Sequence, residues 1–177
     1  MLKSTPDRYG AIPVTIHWQT AILILALLGS GFQAGSAVDS AVKAMFLRFH
    51  IPVAILILLL TVFRIVWWWF LDKKPEPVRG SPLWQGRLAR GVHLAFYFVM
   101  LGMVASGIGM MVLSGAGPVL FGGADRSLPN FNDYLPRIPH GLGARLLVAL
   151  LLAHIGAAVH HHFIRRDGLL RRMWYER

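Results

Sequence analysis

Residues 137–163, RIPHGLGARLLVALLLAHIGAAVHHHF, decide how this chain is read. The stretch reads as an apolar helix long enough to cross a hydrocarbon core of about 30 Å. It nevertheless carries histidines at positions 140, 154, 160, 161 and 162. An imidazole inside a bilayer must find a partner within the protein, so the segment predicts a membrane helix with a functional group on it.

Composition extends that reading to the whole chain. Hydrophobic residues make up 55% of 177 positions and charged ones 15%, and the mean hydropathy is +0.54, which points to a membrane protein rather than a soluble domain. The first apolar run, from Ile12 to Phe32, is longer than the core of a signal peptide and has no small-residue cleavage site behind it. It is expected to stay in the membrane. There is no cysteine, which excludes disulfides, thiolate-held iron–sulfur clusters and covalent haem attachment through CxxCH.

Four windows reach the length of roughly 20 residues that a membrane helix needs: 12–32, 44–71, 91–113 and 140–164. The loops between them, QAGSAVDSAVK, LDKKPEPVRGSPLWQGR and SGAGPVLFGGADRSLPNFNDYLPRIP, carry the Pro, Gly and Asp punctuation that breaks helices. The prediction is an all-α fold, an integral membrane four-helix bundle forming one domain over 1–177.

Basic residues orient it. Lys3, Arg8, Lys73, Lys74, Arg79, Arg87, Arg90, Arg165, Arg166, Arg171, Arg172 and Arg177 fall on one side, against Lys43, Arg48, Arg126 and Arg137 on the other. By the positive-inside rule the N and C termini are cytoplasmic, and Trp67, Trp68 and Trp69 sit at the inner interface. The net charge of +10 is then a topogenic signal, and no nucleic acid is expected as a partner.

Topology gives each histidine a depth. His17 lies in the inner half of the first span, His50 opens the second from outside, His93 opens the third from inside, and His140 opens the fourth from outside. His154 lies about 21 Å beyond His140 along the helix and within roughly 40° of the same face. His50 therefore shares an outer level with His140, and His17 an inner level with His154. A low-spin haem takes two axial imidazoles on opposite faces, which facing helices of a bundle can supply. The pattern predicts two b-type haems, non-covalently bound, one iron between His17 and His154 and the other between His50 and His140.

Blander readings stand beside this one. A single intramembrane histidine is often only a hydrogen-bonding group, and His160, His161 and His162 beside Arg165 and Arg166 suit a snorkelling role at the interface. Zinc would need close-set ligands, whereas these are separated by helix lengths. Gly29, Gly31, Gly102, Gly107, Gly109, Gly141, Gly143 and Gly156 permit close approach either of helices or of a flat macrocycle. Arg64 stands as far beyond His50 as His154 does beyond His140, and is expected at the inner level as a propionate partner. Arg145, with Arg48 and Arg137, is expected to act likewise at the outer level.

Four stretches, RYGAIPVTIHW, FHIPVAILILLLTVFRIVW, RGVHLAFYFVMLGMVASG and PHGLGARLLVALLLAHIGAAVHHHFIRRDGLLRRM, resemble the bacterial di-haem cytochrome b561 family over nearly the whole chain. The last is the most specific, with its spaced histidines and Asp-x-x-Leu-x-Arg-Met tail. Carried over, the family's axial ligands fall on His17 and His154 and on His50 and His140. The resemblance implies an inner-membrane oxidoreductase in which superoxide, or another one-electron partner, gives electrons at the periplasmic side and ubiquinone takes them up. Other branches imply the alternative, a cytochrome b anchor serving a hydrogenase or formate dehydrogenase. His93 and His161 are candidates for handling the quinone. The outer cations attract an anion only modestly, since Asp39, Asp125 and Asp133 share their side. Lipid surrounds the bundle, and a homo-oligomer is compatible with the sequence.

Overall fold

The computed structural model describes residues 1–78, 81–124 and 126–175; Arg79, Asp125 and Arg177, which entered the topology and charge readings, lie outside them. Every element among the described residues is helical. Four helices are long and apolar enough to cross a membrane: α1 (Ala11–Ser36), α2 (Ser40–Val66), α3 (Leu83–Ser114) and, after a short α4 (Gly117–Phe121), α5 (Arg137–His160). Wide π-type turns extend α2 through Trp67–Leu71 and α5 through His161–Arg165.

Helix boundaries overrun the apolar windows because backbone hydrogen bonding continues past the point where side chains become polar. α3 begins at Leu83, inside what reads as loop, and α2 begins at Ser40. The latter start is fixed by Asp39, whose carboxylate accepts from the N–H groups of Ala41 (2.7 Å) and Val42 (2.9 Å), satisfying two of the donors a helix start leaves free. α3 stops at Gly115, whose φ of +62° is the left-handed conformation glycine supplies at little cost.

The bundle is apolar on its outside. Phe98 (79% exposed) and Val112 (73%) face outward, as lipid-solvated helices allow and an aqueous surface would penalise. α1 packs chiefly on α2, and α3 on α5. The centre is a single layer formed by Ile24, Ile57, Val99, Met100 and Leu147. Four of these lie about two helical turns beyond a histidine: Ile24 after His17, Ile57 after His50, Met100 after His93, Leu147 after His140. An apolar plug therefore separates the two histidine levels.

Both termini gather at one end, termed the inner end. Arg172 donates from Nε to the Asp7 carbonyl (2.6 Å) and from Nη2 to the carbonyls of Pro6 (3.1 Å) and Glu76 (2.7 Å). Trp18 Nε1 donates to the Met173 carbonyl (2.9 Å). Asp72 anchors the N-terminal strap, accepting from Ser4 Oγ (2.8 Å), Ser4 N–H (3.0 Å), Trp67 Nε1 (3.1 Å) and Lys73 N–H (2.9 Å). At the other end Arg48 Nε donates to the Leu120 carbonyl (2.7 Å) and ties α4 to α2.

Burial alone would push the Asp72 carboxyl up, but these hydrogen bonds outweigh it and hold the group below the ordinary carboxylate range. A depressed folded pKa means that the contribution is complete above the unfolded pKa and is lost as pH falls through the folded value. The strap should therefore loosen only in strong acid. Asp72→Ala should loosen it at neutral pH, with hydrogen exchange at Ser4 about tenfold faster, equivalent to roughly 1.4 kcal/mol of lost hydrogen bonding. Unchanged exchange in that variant would show that the Arg172 contacts suffice.

Candidate functional site

At the outer end His50 on α2 faces His140 on α5, ring centroids 6.3 Å apart and planes inclined at 61°. Each ring is braced from behind by a serine on the neighbouring helix. Ser30 Oγ on α1 lies 3.1 Å from His50 Nδ1, and Ser106 Oγ on α3 lies 3.1 Å from His140 Nδ1. Each hydroxyl spends its own proton on a carbonyl one turn back, that of Leu27 (3.2 Å) or Met103 (2.9 Å), so its oxygen is left to accept. His140 Nδ1 also reaches the Met103 carbonyl at 3.0 Å. A carbonyl can only accept, which assigns the proton to Nδ1 and leaves the Nε2 lone pair free. Glycine follows each serine, and at Gly31 it clears the ring: a Cβ there would meet His50 Cε1 at 3.0 Å, whereas one on Gly107 would make an ordinary contact with His140 Cε1 at 3.5 Å.

At the inner end His17 on α1 faces His154 on α5, centroids 6.1 Å apart and planes inclined at 56°. His93 on α3 packs edge-on against His154 (5.7 Å) and Phe96 does the same (5.6 Å). Arg64 projects into this level beside Tyr97, His17 and His93. Its Nη2 is buried without a hydrogen-bond partner, and so is Thr61 Oγ1 one turn earlier on the same face. Leaving a cationic donor and a hydroxyl unpaired in a buried site is costly, so this corner suits an anionic oxygen.

The other predicted residues divide. His161 is half-buried and its Nδ1 bonds the Asp167 carboxylate, which also accepts from Leu169 N–H (3.1 Å). Arg145 is not brought to either histidine pair. It is exposed on α5, turned about 140° from His140 and about 180° from His154, because its offsets from the two point away from the line on which they stand. Arg137 is the α5 cation near the outer pair, its guanidinium reaching Gly35 at the end of α1.

A family model described as prokaryotic cytochrome b561 matches residues 8–176. The chain belongs to that family. It is 30% identical over 178 residues to Cytochrome b561 homolog 2 of Escherichia coli (strain K12), covering 96% of this chain and 93% of that protein. It is 24% identical over 173 residues to Cytochrome b561 homolog 1 of the same organism, covering 94% and 97%. Probable superoxide oxidase CybB of Yersinia pestis is 27% identical over 171 residues, covering 94% and 95%. Membership makes this a haem b membrane electron-transfer protein of bacteria.

The residues present fit that cofactor. A metal–imidazole bond is about 2 Å, and a ring nitrogen lies roughly 1.1 Å from its ring centre, so one iron between two imidazoles sets the centroids about 6 Å apart. Both pairs have that spacing, and so does His93 against His154 at 5.7 Å, so at the inner level the spacing fits an iron without choosing between His17 and His93. Arg64 Nη2 and Thr61 Oγ1 offer unpaired donors suited to a propionate, beside the bond Arg64 makes with Tyr97. Among the described residues no three His, Cys, Asp or Glu side chains gather to hold a metal ion, so a zinc-type cage is not formed.

Ser30, Ser106 and Thr61 were missed from sequence, and Asp167, the first residue of the tail motif, carried no role there. The signal for the serines is the Ser-Gly dipeptide, present at 30–31 and again at 106–107, each time at the same interval beyond a histidine, His17 or His93.

Proposed function

We propose that the chain is a di-haem b protein of the bacterial inner membrane, cytoplasmic at both termini, that oxidises superoxide at the periplasmic side and reduces ubiquinone. The observation that carries this is the pair of histidine pairs, 6.3 and 6.1 Å between centroids, at two levels separated by an apolar plug. His50 and His140 hold the outer iron, and His17 and His154 the inner. Each haem, when bound, would supply one-electron chemistry. The likeness to the Yersinia pestis protein named a probable superoxide oxidase supports the donor. The clustering of Lys3, Arg8, Lys73, Lys74, Arg171 and Arg172 at the end holding both termini supports the orientation.

The protein's own groups have distinct tasks. Arg137, with Lys43 and Arg126, raises the local concentration of an anion at the outer end. Superoxide gives up one electron and leaves as dioxygen, releasing no proton. Ubiquinone takes two electrons and two protons, so two superoxide anions are consumed per quinol and the protons enter from the inner side. His161, braced by Asp167, and His93 are the groups there able to pass them. Arg64 and Thr61 would hold a propionate of the inner haem.

Stopped-flow mixing of the oxidised protein with superoxide should show reduced b-type bands, followed by reoxidation when a ubiquinone analogue is present. Bands that do not respond to superoxide, in protein that copurifies with a hydrogenase-like or formate dehydrogenase-like subunit, would replace this reading with that of an anchor.

A further inference from the structure

The brace behind the outer imidazoles has no counterpart behind the inner pair. Ser30 and Ser106, both buried, take the Nδ1–H of His50 and His140, and the Leu27 and Met103 carbonyls back them. Among the described residues, neither His17 nor His154 makes such a bond. Each pair has a cation beside it, Arg137 near His140 and Arg64 near His17, but only Arg64 has a buried guanidinium nitrogen without a partner.

These differences act in the same direction. An acceptor on Nδ1–H draws that proton and enriches electron density at Nε2, which strengthens donation to iron and favours its oxidised state. A buried cation beside the other site disfavours the extra positive charge of oxidised iron there. We propose that Ser30 and Ser106 are positioning residues that lower the outer site's midpoint potential below the inner one, so that electrons arriving outside run inward. The inference rests on the reading that His50 and His140 hold the outer haem. The direction of flow then follows from fixed hydrogen bonds and needs no gating motion.

The test is a spectroscopic redox titration of the purified haem-loaded protein, its Ser30→Ala, Ser106→Ala and double alanine variants, and the matching threonine variants. The component missing from His140→Ala protein is assigned as outer. In the wild type the outer component should have the lower potential. At a fixed ambient potential its reduced-to-oxidised ratio should rise a few-fold in each single alanine variant and about tenfold in the double, a shift of about 59 mV for a one-electron couple. Threonine keeps the hydroxyl and should keep the wild-type value, and the inner component should stay put throughout. If the double variant retains only the inner haem, the single variants decide the matter. An outer potential unmoved by alanine, or already higher than the inner one in the wild type, would overturn the inference. A wild type with only one titrating component would overturn the di-haem reading instead.

Discussion

Replacing His140 by alanine should bring the haem content from two per chain to about one and leave the remaining haem spectrally intact. The substitution removes one axial nitrogen from a ring that stands 6.3 Å, centroid to centroid, from its partner. The groups that touch the ring, the Ser106 hydroxyl and the Met103 backbone carbonyl, are far weaker ligands to ferric haem than an imidazole. The inner level should be unaffected, since His154 is about four turns away and the Ile24, Ile57, Met100 and Leu147 layer stands between. His50→Ala should give the same product. The inner level is a less clean test: His93 lies against His154, so a His17→Ala protein still has a second imidazole nearby. Pyridine haemochrome content against protein concentration measures the outcome. Two haems retained in His140→Ala would show that the outer pairing is wrong, whereas loss of both would show that the levels fold as one unit.

Much of this arrangement was legible because membrane helices simplify the problem. Length and hydropathy fix the spans, charge suggests the orientation, and a rise of about 1.5 Å per residue converts sequence number into depth. His140 and His154 could be placed on one line before any contact was known, and His50 placed opposite. The same arithmetic also contained a symmetry that was read only at Arg64. Ser30 stands beyond His17 by the interval that separates Ser106 from His93, and Arg64 stands beyond His50 by the interval that separates His154 from His140. The α1–α2 and α3–α5 hairpins thus repeat one plan, with Arg64 standing where its counterpart has His154. Ser-Gly pairs did not announce themselves, because serine and glycine are ordinary packing residues in membrane helices. Arg145 could have been set aside on angle alone, since it falls opposite the histidine line. The clasp of Asp72, Arg172 and Trp18 was out of reach, as it depends on three segments distant in sequence meeting at one end.

His161→Ala should slow ubiquinone reduction by about 10²–10⁴-fold, the usual contribution of a positioned acid–base group, while leaving reduction by superoxide unchanged. His161 stands about two turns beyond His154, further toward the inner end and on the same side of α5. Asp167 holds its Nδ1, which turns Nε2 toward proton exchange. Burial would push the Asp167 carboxyl up, but the bonds from His161 and from Leu169 N–H outweigh it, so this carboxyl sits below the ordinary range. A depressed pKa keeps the brace ionised at neutral pH, and its effect is lost only as pH falls through the folded value. Asp167→Asn should therefore slow the quinone step at pH 7 by about tenfold, less than His161→Ala, because the ring remains but is no longer held by a charge. The split between the two half-reactions is what identifies the role. A merely structural histidine would change haem content or both rates together, whereas a proton-handling one changes only the step that consumes protons. Wild-type quinone rates in His161→Ala would pass the task to another inner-end imidazole that the proposed ligation leaves unassigned, His93, His160 or His162.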